Sequence, residues 1–117
     1  MTEFPDAASG EILLRVHLLE RPIYAGVALG LRAEATCLPV DDLTSLPVSI
    51  ETADGAAIAT AVLVSFDGTT STSERISVLG PSSVGTHQWL ARMPAFETVD
   101  GSFPVAVQPL AIVVEAH

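Results

Sequence analysis

Apolar residues along this chain recur at every second position over several separate runs. Ile12, Leu14, Val16 and Leu18 form one side of a run from Glu11 to Glu20, and Val27, Leu29, Leu31, Ala33, Ala35 and Cys37 form one side of the next. A period of two marks strands, whose successive side chains point to opposite faces. A helix over 27–37 would place Gly30 and Glu34 on its apolar stripe, so a strand is the better reading there. Farther on, Val48 and Ile50 alternate with Ser49 and Glu51. The returning segment offers Ile58, Thr60, Val62, Val64 and Phe66 as an inward set, which leaves Leu63 on the outer side. Asp54-Gly55 between these two runs predicts a hairpin with a type I′ turn, which needs positive φ at both central residues.

The same punctuation returns at Asp67-Gly68 and Asp100-Gly101. A Thr/Ser stretch to Ser73 leads into a strand over 74–79 with Ile76 and Val78 inward. His87, Trp89, Ala91 and Met93 share a side of the run 85–93, where Trp89, the only tryptophan, is expected to anchor the core. Phe103, Val105 and Val107 follow. Pro109 is expected to bend or end that strand, because proline removes a ladder donor. Residues 110–117 are then a final edge strand or, less favoured, the opening strand of a following repeat. Residues 1–10 read as a loose lead-in, and 1–117 as one domain. Alternating runs at intervals of roughly ten residues, separated by Asp-Gly turns, predict an all-β sandwich.

Charge narrows the partners. The chain has a formal net charge of -9, which disfavours phosphate backbones and anionic membrane surfaces. Nucleic acid and membrane are therefore not expected partners, and no apolar run reaches the roughly eighteen residues of a spanning helix. The acids are scattered, as on a solvated surface. All basic residues are arginine and there is neither lysine nor asparagine, a usage expected of a GC-rich bacterial genome. The N-terminus lacks the basic and apolar regions of a signal peptide, so a cytoplasmic location is expected if Met1 is the native start. Cys37 is the only cysteine, which excludes an intramolecular disulfide, and it reads as a buried apolar thiol.

Pro22-Ile-Tyr-Ala-Gly26 leading into the run 27–37, the 48–66 hairpin with its Asp-Gly, and Gly85-Thr-His-Gln-Trp-Leu-Ala91 together resemble bacterial immunoglobulin-like and fibronectin type III-like domains. The resemblance implies an immunoglobulin-like antiparallel β-sandwich of about seven strands. It departs from the pattern where His87 stands in place of the usual tyrosine and where a second cysteine is missing. It speaks to architecture and not to activity.

Candidate chemistry is sparse. His17, His87 and His117 have no zinc-like spacing, and one cysteine cannot make a thiolate cluster. There is no Gly-x-Ser-x-Gly, and 80–85 reads as an interstrand loop. No P-loop is present, and Asp41-Asp42 reads as a solvated turn. No enzyme activity, cofactor or metal is expected. The favoured reading is a non-catalytic interaction or structural module that engages a protein partner or a second copy. Leu13 and Leu19 on the second face of the first strand, with Leu63 and Leu90 on presumed outer faces, are its candidate contact residues. The alternative is a small-molecule or carbohydrate-binding module using Tyr24, Phe96 and Phe103 as exposed loop aromatics.

Overall fold

The computed structural model describes residues 11–99 and 101–116, so the lead-in 1–10, Asp100 and His117 lie outside the described residues. The elements are β1 (Glu11–Leu18), β2 (Ile23–Tyr24), β3 (Ala28–Leu38), β4 (Pro47–Thr52), β5 (Ala57–Phe66), β6 (Ser71–Ser73), β7 (Ile76–Leu79), β8 (Gly85–Met93), β9 (Phe96–Thr98), β10 (Gly101–Phe103) and β11 (Ala106–Glu115). The chain is all-β. Eight strands follow one another in the order β1-β3-β6-β5-β4-β8-β11-β2 as a curled half-barrel, with β7 beside β3 off that path. β9 and β10 form a separate ribbon.

Two expectations about the sheet need correction. It is mixed and not purely antiparallel, because β2 runs parallel to the end of β11, with Val114 opposite Ile23. Among the described residues eleven strands form where about seven are expected, because β2, β6, β9 and β10 are pieces of two or three residues, and β6 lies in a Thr/Ser stretch without apolar alternation. Its inward residues are buried serines, Ser71 and Ser73. Ser71 Oγ accepts from the Leu43 amide and Ser73 Oγ from the Ala33 amide, both at 2.9 Å. These hydroxyls take the place of ladder bonds, so they can be buried without an unsatisfied group. The strand pairs with β3 at Glu34 and Ala35, and β7 resumes the pairing at Leu31.

The central hairpin forms, but its turn and its inward face both differ from expectation. Gly55 has φ 91°, while Asp54 is not among the residues of positive φ. The Gly55 amide donates to the Thr52 carbonyl, and the Thr52 amide to the Ala56 carbonyl. This is a three-residue connection closed by a left-handed glycine, not a type I′ turn. A register shift between Ile50 and Glu51 offsets the extra residue, so Ile50 lies opposite Ala59 and Val48 opposite Ala61. Directly opposed residues share a face. With Val48 and Ile50 fully buried, Ala61 and Leu63 are buried too, whereas Val62 and Val64 are exposed. Leu63 is therefore a core residue, and the expected inward set of β5 is its outer face.

β5 also changes partners along its length. Its first part pairs with β4, and from Leu63 onward it pairs with β6. The curl thus has two halves, β1-β3-β6 and β4-β8-β11, with β5 shared. Their inner sides meet in one core that includes Leu14, Leu31, Cys37, Ile50, Trp89 and Ile112. Trp89 is buried as expected, and so is Cys37.

Pro109 neither bends nor ends its strand, since β11 runs through it from Ala106 to Glu115 opposite β8. Among the described residues, the edge of β11 away from β8 is paired by a strand at Val114 and Glu115, with β2. Proline is tolerated on such an edge because no ladder donor is lost there. Its carbonyl is occupied from within the chain, by Gln108 Nε2 at 3.0 Å.

Candidate functional site

Outward residues on β5, β4, β8 and β11 fall into cross-strand rows fixed by the register. Val62 lies beside Pro47, Thr60 beside Ser49, and Ser49 beside Arg92, which neighbours Val107. Glu51 lies beside Leu90, which neighbours Pro109, and Thr86 lies beside Val113. Val62, Val107 and Val113 are each roughly half exposed and Leu90 is partly so. Between Ala106 and Val114 the sequence of β11 has one polar side chain, Gln108, so the strand is apolar on both faces. That pattern belongs to strands covered on both sides, and it is the signal from which this surface could have been found.

One ion pair crosses this face. Arg92 Nε donates to Glu51 Oε2 at 3.1 Å, and Ser49 Oγ donates to the same oxygen at 3.3 Å. The pair leaves the centre of the patch neutral on a chain of net charge -9, with Glu115 at the far end of β11 its one further charge among the described residues.

The other half presents a different exterior. Arg15 faces Glu34, and His17 faces Arg32. His17 Nε2 lies 3.0 Å from Glu34 Oε1, and the Thr36 and Thr70 hydroxyls lie 2.8 Å apart. Nearby, Arg75 binds Glu20 across Gly30, whose amide donates to Glu20 Oε1 at 3.0 Å. A Cβ on Gly30 would sit 2.8 Å from the Arg75 guanidinium, so a larger residue there would push the arginine off its place across the strand.

Two clefts flank the apolar face. The first, about 770 Å³, opens between the start of β1 and the start of β11, with Leu13, Leu38, Val105 and Val107 on its walls. The second, about 650 Å³, lies between the β4–β5 hairpin and the loop before β8, with Asp54, Ser83, His87 and Trp89 on its walls. Ser83 Oγ stands 3.5 Å from His87 Nε2, a pair that matches a nucleophile and its base by residue type alone. The same nitrogen lies 2.9 Å from the Ser83 carbonyl. A carbonyl only accepts, so Nε2 carries the proton and is spent on the backbone.

The expected contact residues separate. Leu90 is on the apolar face, and Leu13 lines the first cleft with Val107. Leu19 is half buried just past β1, its amide donating to the Gly30 carbonyl. Leu63 is in the core, which corrects its expected exposure. Phe103 is likewise buried and stacks on Phe96 with ring centroids 4.7 Å apart, so it is not the exposed loop aromatic expected. His17 and His87 lie on strands that do not pair. Asp41 and Asp42 form a turn in which Asp42 Oδ1 accepts from the Thr44 amide. Among the described residues, no three His, Cys, Asp or Glu side chains converge to hold a metal ion.

Comparison with protein families, with curated proteins and with solved structures returned no match.

Proposed function

We propose that this chain is a non-catalytic protein-interaction module of immunoglobulin-like sandwich type, and that its contact surface is the outer face of β5-β4-β8-β11. The observation that carries the reading is an exposed sheet face, largely apolar and with its central charges paired, on a chain of net charge -9. Exposed apolar patches of this kind mark association surfaces. The sandwich assignment is supported by β5, which passes from one half of the curl to the other, and by the sequence resemblance. The Ser83–His87 pair supports the non-catalytic reading only in that this histidine's Nε2 is engaged by a backbone carbonyl and is not free to serve the serine as a base.

A carbohydrate-binding alternative retains the second cleft, where the Trp89 edge is accessible, but it loses Phe103 to the core. The test is a photoreactive residue placed at Val107 or, as a control, at Arg32, irradiated in the cells that express the chain. Protein adducts from position 107 and not from position 32 support the reading. Equal labelling from both, or none from 107, overturns it.

A further inference from the structure

Resting on that reading, we infer that the partner of the apolar face is a second copy of this chain, packed face to face about a two-fold axis near Leu90. Three features of the face favour a copy of itself. First, its charges are self-complementary. A two-fold contact brings the same patch against itself, so residue i of one copy meets residue j of the other and the reverse. Glu51 and Arg92 are one acid and one base on adjacent strands flanking Leu90. Rotation about Leu90 presents the Arg92 of each copy to the Glu51 of the other. Each Arg92 then has the Glu51 of both copies as ionic partners where it had one, and no charge is buried alone.

Second, the face is where two acidic chains can approach. The described acids outside it lie mostly in loops and turns, at Asp41, Asp42, Asp54, Asp67 and Glu74. Around Leu90 the face carries one acid and one base, Glu51 and Arg92, with Glu115 apart at the far end of β11, so this is the surface on which the -9 of each copy opposes contact least. A basic partner would instead be drawn to those loops.

Third, the area suffices. Strand rise and spacing give the four strands about 500 Å² of projected area per copy, and a pair buries on the order of 1,000 Å². That is the lower end of specific interfaces, where weak and reversible association is found. Edge-to-edge pairing through β11 is disfavoured, because Pro109 offers no donor and its carbonyl is already bonded to Gln108.

Sedimentation equilibrium of the chain from about 1 to about 300 µM tests the inference. The mass is expected to rise from 12.2 kDa toward twice that value. Val107→Glu and Val113→Glu, both at exposed positions, are expected to weaken association at least tenfold. Leu79→Glu, which adds the same charge at a 70% exposed position off the face, should leave it unchanged. Glu51→Arg and Arg92→Glu should each be monomeric alone and recover a dimer when mixed in equal amounts, with circular dichroism confirming that each is folded. A mass that stays at one copy throughout, a Leu79→Glu effect equal to that of Val107→Glu, or a mixture that does not associate overturns the inference. Adducts from position 107 to a different protein, on a chain that sediments as one copy, overturn the dimer and leave the interaction module standing.

Discussion

On the outer side of β1 and β3, Arg15 faces Glu34 and His17 faces Arg32, whereas on the outer side of β8 and β11 Leu90 faces Pro109 and Val107 faces Arg92. Both pairs of strands bury alternating apolar residues on their inner sides, and they share one core. The inner patterns are alike because folding requires them. The outer patterns differ because folding leaves that choice free, so the difference carries functional information. A charged ladder is a solvated exterior, while an apolar exterior lowers solubility unless something covers it.

The largest expected effect tests which side of β5 belongs to the core. Leu63→Ala should lower stability by about 2–5 kcal/mol, as for a fully buried leucine, whereas Val62→Ala should change it by less than about 0.5 kcal/mol. Urea unfolding of the two variants decides it, and equal losses would break the distinction between the faces. A comparable loss, about 1–3 kcal/mol, is expected for Gly80→Ala, because a Cβ there would lie 2.6 Å from the Val27 carbonyl oxygen, and a backbone atom cannot yield as a side chain can.

Smaller effects concern charge. Raising the salt from about 0.05 to about 0.5 M should tighten association several-fold, since screening weakens repulsion between acidic copies more than it weakens an apolar contact. An ion-pair-driven contact with a basic partner would weaken instead, and titration at both salts separates the two.

The smallest expected effect is on stability at low pH. Asp67 lies below the usual carboxylate range chiefly because the Thr70 amide donates to it, with the Thr69 amide and hydroxyl adding to the effect. Asp54 is lowered chiefly by the Thr52 hydroxyl and Glu20 chiefly by Arg75, against a smaller opposing effect of desolvation. A depressed folded pKa contributes stability that is present above the unfolded value, about 4, and is lost as pH falls through the folded one. Thermal unfolding should therefore be flat from neutrality to about pH 5 and fall below about pH 4. Asp67→Ala should reduce the fall. A variant that unfolds with the same acid profile as the parent contradicts that assignment.

Much of the fold is legible in the sequence where one face alone is buried. The inward residues of β1 and β3 follow the alternation directly, and Trp89 is buried where the pattern puts it. Legibility fails where both faces are apolar or neither is. In β5 the β-branched residues lie outside and the alanines inside, so bulk points the wrong way; the register with Val48 and Ile50 decides the matter. In β6, burial is carried by serines whose hydroxyls replace ladder bonds, a role that hydropathy does not register. The candidate surface is half visible. Leu90 is identifiable from its position on an outer face, whereas Val107 and Val113 are signalled only by the apolar run to either side of Pro109, and a proline in mid-strand conceals that the run is one strand.

Residue-level protection measures the contrast between the two exteriors most directly. Hydroxyl-radical footprinting as the chain is concentrated from about 5 to about 300 µM reads the accessibility of Leu90, Pro109 and Arg92 beside that of His17, Arg15 and Leu79. Protection is expected to grow at the first three with concentration and to stay constant at the other three. Unchanged accessibility at Leu90 and Pro109, or equal protection on both faces, would contradict the account.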